Sequence, residues 1–232
     1  MGSSGTKLLL YARVRNAAPI CATISPATMA STPVFSAIRL GQWDSLMAMP
    51  AIPDSEAYLK ILSEFGRGIA LARTKKTGEA SRCLQTIGAL MNGDKDLKIR
   101  FGAFNTAYAG AEVAYAMLDG IIDEEKGNYT SAAEKLARAV DLEANMVYDE
   151  PKDWLLPPLP YLGRVLLKSR RFADAEKAFL KDLQFNPNNC WSLKGLEMTY
   201  TARGNTNAAA KTRTKLDKVL KGTGLNLKSP VF

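Results

Sequence analysis

The stretch 170–189, RRFADAEKAFLKDLQFNPNN, sets Phe172, Ala175, Ala178, Phe179 and Leu183 on one stripe at helical spacing and stops at Asn-Pro-Asn-Asn. Ala175 and Phe179 stand four residues apart, so a small and a large side chain share one helical face. Such a face lets a second helix approach at the alanine, while the ring fills the gap beside it. Asn186-Pro187 ends the helix, because proline pushes the residue before it out of helical geometry. The stripe reads as packing and not as a cofactor box.

The same register recurs along the chain. With Arg170 at an inter-helix turn, Phe172 and Ala175 follow it. The equivalent positions downstream are Gly204, Thr206 and Ala209 in ARGNTNAAA, and upstream Gly127, Tyr129 and Ala132 in EKGNYTSAAEKLARAV. Lys75 with Ala80, in ALARTKKTGEASRCL, and Gly41 with Trp43, in IRLGQWDSL, continue the series. The turn positions 41, 75, 127, 170 and 204 are spaced by 34, 52, 43 and 34 residues, one 34-residue helix–turn–helix period broken by two insertions. In PYLGRVLLKSRRFADAEKAF, Leu162, Gly163 and Leu166 form a first helix that packs through its glycine.

The period and these residues resemble the tetratricopeptide (TPR) repeat superfamily, most closely over residues 113–220 and less so over 33–91. Asp182 stands where the family has a small residue, Arg213 where it has an aromatic one, and Lys75 where it has the turn glycine. YDEPKDWLLPP (148–158) followed by FNPNNCWSLKGL (185–196) is similar to an uncharacterised family of TPR proteins. In that family a Tyr-acidic-Pro-Trp loop precedes the penultimate repeat. Its members are longer and carry histidines in upstream repeats, so the resemblance is to their C-terminal half. The resemblance implies an all-α, TPR-like array of helical hairpins wound as a right-handed superhelix with two inserted loops, 92–105 and 145–158. Helices are expected near 33–40, 42–49, 55–74, 79–91, 106–125, 130–144, 159–169, 173–184, 190–202 and 206–220. Residues 32–222 form the repeat domain, 1–31 a leader and 223–232 a C-terminal tail.

Composition narrows the chemistry. The chain has no histidine, which removes the commonest general base and the commonest zinc ligand. Its three cysteines, Cys21, Cys83 and Cys190, are far apart and form neither a disulfide framework nor a metal knuckle. The formal net charge of +8 divides into +6 over residues 1–111, −7 over 112–153 and +9 over 154–232. So acidic a middle argues against a nucleic-acid binder, although Lys211, Arg213, Lys215, Lys218 and Lys221 make the last helix basic. Leu216, Val219 and Leu220 on that helix mark it first as an amphipathic cap. The +9 third favours an acidic partner segment.

No acidic residue precedes Asp44, and the leader is rich in Ser, Thr and Ala. It reads either as an organellar transit peptide or as an unstructured leader, so the expected location is cytoplasmic unless the leader targets an organelle. Pro19, Pro26 and Pro33 interrupt the uncharged run 17–38, which excludes a membrane span.

No phosphate-binding loop is present, since Gly66-Arg67-Gly68 lacks a third glycine in place and no Gly-Lys-Ser/Thr triplet occurs. The Asn128-Tyr129-Thr130 sequon falls at a repeat turn. The carboxylate clusters Asp123, Glu124, Glu125 and Asp149, Glu150 read as solvated faces, with no partner base to suggest acid–base catalysis. The dicarboxylate clamp of chaperone-binding TPR proteins is also missing. Its Lys and Asn positions hold Met117, Ile121, Pro160 and Arg164 here, and Trp191 and Gly195 follow in the next repeat.

What remains is a non-enzymatic, cofactor-free scaffold that binds a protein or peptide. The expected contact residues are Trp154, Tyr161, Arg164, Lys168, Trp191 and Lys194, with Trp154 presenting an aromatic face beside the cations. Packing of Trp154 and Trp191 into the seam widened by the insertion is the other reading of the same residues.

Overall fold

The computed structural model describes residues 26–99, 105–148 and 152–232, with the backbone alone for 26–31 and 54. Cys21, Asp149, Glu150 and Pro151 lie outside the described residues, as do residues 1–25 of the expected leader. Among the described residues the chain is all helical. It comprises α1 (Pro26–Arg39), α2 (Trp43–Met47), α3 (Ala57–Arg73), α4 (Thr77–Gly93), α5 (Ala107–Lys126), α6 (Tyr129–Ala144), α7 (Leu159–Lys168), α8 (Phe172–Phe185), α9 (Cys190–Ala202) and α10 (Thr206–Leu220). None of these helices is long and apolar enough to cross a membrane.

Five turns join the helices into hairpins, and all five have one conformation. Gly41, Lys75, Gly127, Arg170 and Gly204 are left-handed, with φ of 65°, 68°, 83°, 61° and 72°. In each turn the left-handed residue's N–H donates to the carbonyl three residues back. The next N–H donates five residues back, as in Gly127 to Glu124 (3.1 Å) and Asn128 to Asp123 (2.9 Å). This pair of bonds satisfies two carbonyls at the end of the first helix. The residue after the turn then enters the second helix with φ between −81° and −92°. Glycine adopts the left-handed region freely; Lys75 and Arg170 do so at some cost.

Close approach within and between hairpins is set by glycine against a large side chain. A methyl group built on Gly163 of α7 would stand 2.5 Å from Cε1 of Phe179, and one on Gly195 of α9 would stand 2.2 Å from Cζ of the same ring. Phe179 therefore lies between the first helix of its own hairpin and the first helix of the next, fully buried, with Ala175 fully buried on the same face. Each hairpin packs on its sequence neighbours: α1 and α2 on α3, α4 on α5, α6 on α7, α8 on α9. One buried core runs from Val34 of α1 to Leu196 of α9 and includes Val231, and a smaller one joins Cys190, Leu193, Leu216 and Leu227.

Three elements depart from the sequence reading. Helix α1 begins at Pro26 and carries Pro33 inside it, seven residues before the expected start and within the segment read as leader. Proline reads as a helix start because its missing N–H costs nothing there. Here Val34, Phe35, Ala37 and Ile38 are buried just beyond Pro33, and their packing holds the helix together across it. Asp182 is fully buried in place of the family's small residue, accepting from Asn186 Nδ2 (2.9 Å), Asn189 Nδ2 (2.8 Å) and Ser192 Oγ (2.5 Å). It fastens the end of α8 to the start of α9, which accounts for a carboxylate at that site. The segment 223–232 is not a free tail, since Leu227 and Val231 are buried against the body.

Phe179→Ala is expected to cost about 3–5 kcal/mol, as truncation of a core aromatic does. Gly195→Ala should cost about 1–3 kcal/mol, because the added carbon has no room. Urea unfolding measures both, and a loss under about 1 kcal/mol for Phe179→Ala would refute this packing.

Candidate partner-binding surface

The last turn of α5 carries Asp123, Glu124 and Glu125, and the sequence reading of a solvated face is corrected here. Glu124 is 2% exposed and Asp123 is 8% exposed. Glu124 Oε2 accepts from Arg73 Nη1 of α3 at 2.7 Å, and its Oε1 faces Arg164 Nε (2.6 Å) and Lys168 Nζ (2.7 Å) of α7. Glu125 meets Arg73 Nη1 and Lys75 Nζ, each at 2.5 Å. Asp123 accepts from Lys135 Nζ and Ser131 Oγ, both at 2.6 Å. The helical spacing of a three-carboxylate run could not reveal this, because all three partners of Glu124 are distant in sequence. Burial by itself would raise the Glu124 carboxyl, but Arg73, Arg164 and Lys168 outweigh it and hold it at about 2. A group so deeply ionised carries no proton to donate near neutral pH, and its lone pairs are already engaged. The cluster is a tether.

The six residues expected to contact a partner do not form one open surface. Trp154 is 2% exposed and packs between Phe35 of α1 (centroids 5.0 Å apart) and Phe65 of α3 (5.5 Å), with Nε1 donating to Leu156 O at 2.6 Å. It plugs the interior and presents no aromatic face beside the cations. Tyr161 is buried as well, and burial pushes its phenol up to about 12. Arg164 and Lys168 are taken by Glu124. Lys194 pairs with Glu197 at 2.7 Å, and the Arg39 guanidinium lies over the half-buried Trp191 ring at 5.1 Å. Four of the six, Tyr161, Arg164, Trp191 and Lys194, do face residues 225–232. Arg164 Nη1 donates to Ser229 Oγ (3.0 Å) and Val231 O (2.6 Å). Tyr161 and Trp191 line a small gap with Val231 and Phe232, and Lys194 lines an open cleft with Leu225 and Leu227.

The open apolar surface lies on the other side of the inserted loop. A cavity of about 310 Å³ opens between α6, α8 and the loop residues 146–148 and 152–154, lined by Val140, Ala144, Met146, Val147, Tyr148 and Phe185. Tyr148 is 72% exposed, Phe185 63% and Val147 46%. Asn105 shapes this loop: its amide donates to Val147 O and to Asp153 Oδ2, both at 2.9 Å, and its Oδ1 accepts from Val147 N at 2.8 Å. Lys152 and Lys181 stand at the rim. Glu143 lines the cavity, and its carboxyl is pushed up to about 7 by burial, with Asp182 adding to the rise and Lys152 opposing it. The sequence reading singled out neither Phe185 nor Val147, and Tyr148 only as the first residue of the Tyr-acidic-Pro-Trp loop. Their meeting depends on how α8 sits against the end of α6, which no local spacing encodes.

Compared with known proteins, the chain matches no family model, no curated protein and no solved structure.

The two carboxylates give opposite pH dependences. Glu124 is depressed from 4.5 to about 2, so its stabilisation is complete above about 4.5 and is lost as pH falls toward 2. Glu124→Gln should destabilise the protein strongly at pH 7, by about 3–5 kcal/mol, because it leaves buried cations without their anion. Glu143 is raised from 4.5 to about 7, so its burial costs nothing below about 4.5 and its full penalty applies above about 7. Glu143→Gln is therefore expected to raise the melting temperature at pH 8 and leave it unchanged at pH 4.5. Melting curves of both variants across pH 2–9 check the two signs, and a Glu143→Gln effect that is the same at both pH values contradicts the assignment.

Proposed function

We propose that this chain is a TPR-like helical-repeat scaffold, wound as a right-handed superhelix, that binds a protein or peptide partner without catalysis or cofactor. The cavity beside the inserted loop is its contact surface. The observation that carries the reading is the group of exposed Val147, Tyr148 and Phe185 around an open apolar cavity. Exposed large apolar side chains gathered at one place mark interaction surfaces more often than single ones do. The repeat reading is supported by five turns of one conformation at the 34-residue register and by nearest-neighbour packing of the hairpins. The non-enzymatic reading is supported by the missing histidine and by the clamped state of Glu124.

The partner is a segment that offers an aromatic or large aliphatic side chain next to acidic residues. The apolar lining takes the first and Lys152 and Lys181 attract the second, with the net +9 of residues 154–232 favouring approach. The basic face of α10 supports nucleic-acid binding less, because Arg213 is already engaged by Glu197 (3.3 Å) and Asp217 (3.0 Å).

Affinity capture from the native host followed by a direct binding measurement tests the reading. The double variant V147S/F185S should weaken the captured partner at least about 10-fold while its melting temperature stays within a few degrees of wild type. Unchanged affinity in the folded variant would place the contact surface elsewhere.

A further inference from the structure

Residues 225–232, LNLKSPVF, leave α10 through Lys221-Gly222-Thr223-Gly224 and cross the body to reach the first hairpin. Leu227 is buried with Cys190, Leu193 and Leu216 of α9 and α10. Val231 is 4% exposed in the main core, and Arg164 of α7 donates to its carbonyl and to the Ser229 hydroxyl. Phe232 lies over the α1–α2 turn, where a methyl group on Gly41 would stand 3.0 Å from the ring. Gly41 thus serves two needs, a left-handed turn and a flat seat for an aromatic ring.

This segment is held differently from the rest of the chain. It forms no helix or strand, and among the described residues the one hydrogen bond its main chain makes beyond Leu225 is the one Val231 accepts from Arg164. Its hold rests on three side chains and one guanidinium. Gly222 and Gly224, both left-handed with open space around them, flank Thr223, which donates to Leu220 O through its N–H (3.0 Å) and hydroxyl (2.8 Å) and accepts from Leu225 N–H (3.1 Å). The seat beneath it is made of rigid helices: Ile38 and Arg39 at the end of α1, Pro160 and Tyr161 of α7, and Trp191 of α9. A pre-formed seat, a link with two glycines and a strap without a hydrogen-bonded ladder are the parts of a detachable intramolecular ligand.

We propose that the seat of residues 225–232 on α1, α7 and α9 is a peptide-recognition site. Its ligand is an extended segment with the pattern aliphatic-x-x-x-aliphatic-aromatic, and the chain's own Leu227, Val231 and Phe232 hold it closed. The aliphatic residue enters the pocket of Leu193 and Leu216, the aliphatic–aromatic pair spans Arg164 to Gly41, and the Arg164 guanidinium reads the backbone between them. Tethered at an effective concentration of about 1 mM, the strap excludes a free peptide of equal intrinsic affinity until that peptide exceeds this level. This site is separate from the outer cavity, and its test uses neither Val147 nor Phe185.

A fluorescent peptide of residues 223–232, blocked at both ends, is titrated by anisotropy into the wild-type chain and into the full-length variant V231S/F232S. The variant is expected to bind it saturably, one to one, at least about 10-fold tighter than wild type, and a peptide carrying the same two serines should not bind. Thiol labelling of the full-length variant Val231→Cys is the second measurement, and this cysteine should react at least about 100-fold faster than Cys83, which is buried in the main core. The inference is overturned by a folded variant that ignores the peptide, or by wild type binding it equally well. A Val231→Cys thiol that reacts no faster than Cys83 would also overturn it, since the strap would then be core. So would wild-type dimers that exchange the segment between two copies.

Discussion

Glu124 ties α3, α5 and α7 together by ion pairs at the edge of one continuous apolar core. Among the described residues α1 packs on α3, α3 on α5, and α7 on α9, while α6 and the inserted loop come between α5 and α7 in the sequence. One carboxylate at the end of α5 reaches Arg73 on α3 and both Arg164 and Lys168 on α7. Removing such a charge from water is costly, and the cost is met only because three cations close around it. With that tether in place the hairpins on either side of the insertion keep a fixed relation. The seat used by residues 225–232 exists because α7 and α9 are held near α1. Arg164 takes part in both arrangements, through Nε to Glu124 and through Nη1 to Val231.

The inserted loop does two things that a plain repeat turn could not. Its inward residue, Trp154, fills the space between Phe35 and Phe65, and Leu155 O accepts from Arg39 at 3.1 Å, so the third connection reaches back to the first hairpin. Its outward residues, Val147 and Tyr148, cannot join that core and are left with Phe185 around an open cavity. Tryptophan offers a large apolar body with one donor, and the Leu156 carbonyl within the same loop satisfies that donor. The loop therefore seals one face and exposes another. Among the described residues the most exposed large apolar side chains, Tyr148 and Phe185, gather beside the loop.

The all-helical class and five of the turns were legible because helical spacing and turn residues leave a local pattern in the sequence. Positions 41, 75, 127, 170 and 204 were chosen as turns from spacing and small-residue pattern alone, and each is left-handed, including Lys75 and Arg170 where glycine is absent. The stripe of Ala175 and Phe179 is buried as its period required. The candidate site was less legible. Tyr161, Arg164, Lys168, Trp191 and Lys194 were singled out, yet the structure places Tyr161 inside and engages Arg164, Lys168 and Lys194 with acidic partners. Trp154, read either as a contact residue or as a plug of the seam, is in the core. The outer cavity was missed because Phe185 and Val147 look like ordinary residues at element ends until α8 and the loop come together.

By itself the sequence determined the elements: the ten α-helices among the described residues, the turns that join them, and the small-against-large faces through which hairpins close. These follow from interactions within about 40 residues, where helical period and left-handed turns leave a local imprint. The tertiary structure decided which way each ambiguous side chain faces. Glu124 becomes a buried tether, Trp154 a plug and residues 225–232 a strap, through contacts spanning 40 to more than 100 residues. A carboxylate, a tryptophan or an aliphatic segment is stable either in water or in a suitable partner's embrace. Only the folded arrangement supplies or withholds that partner.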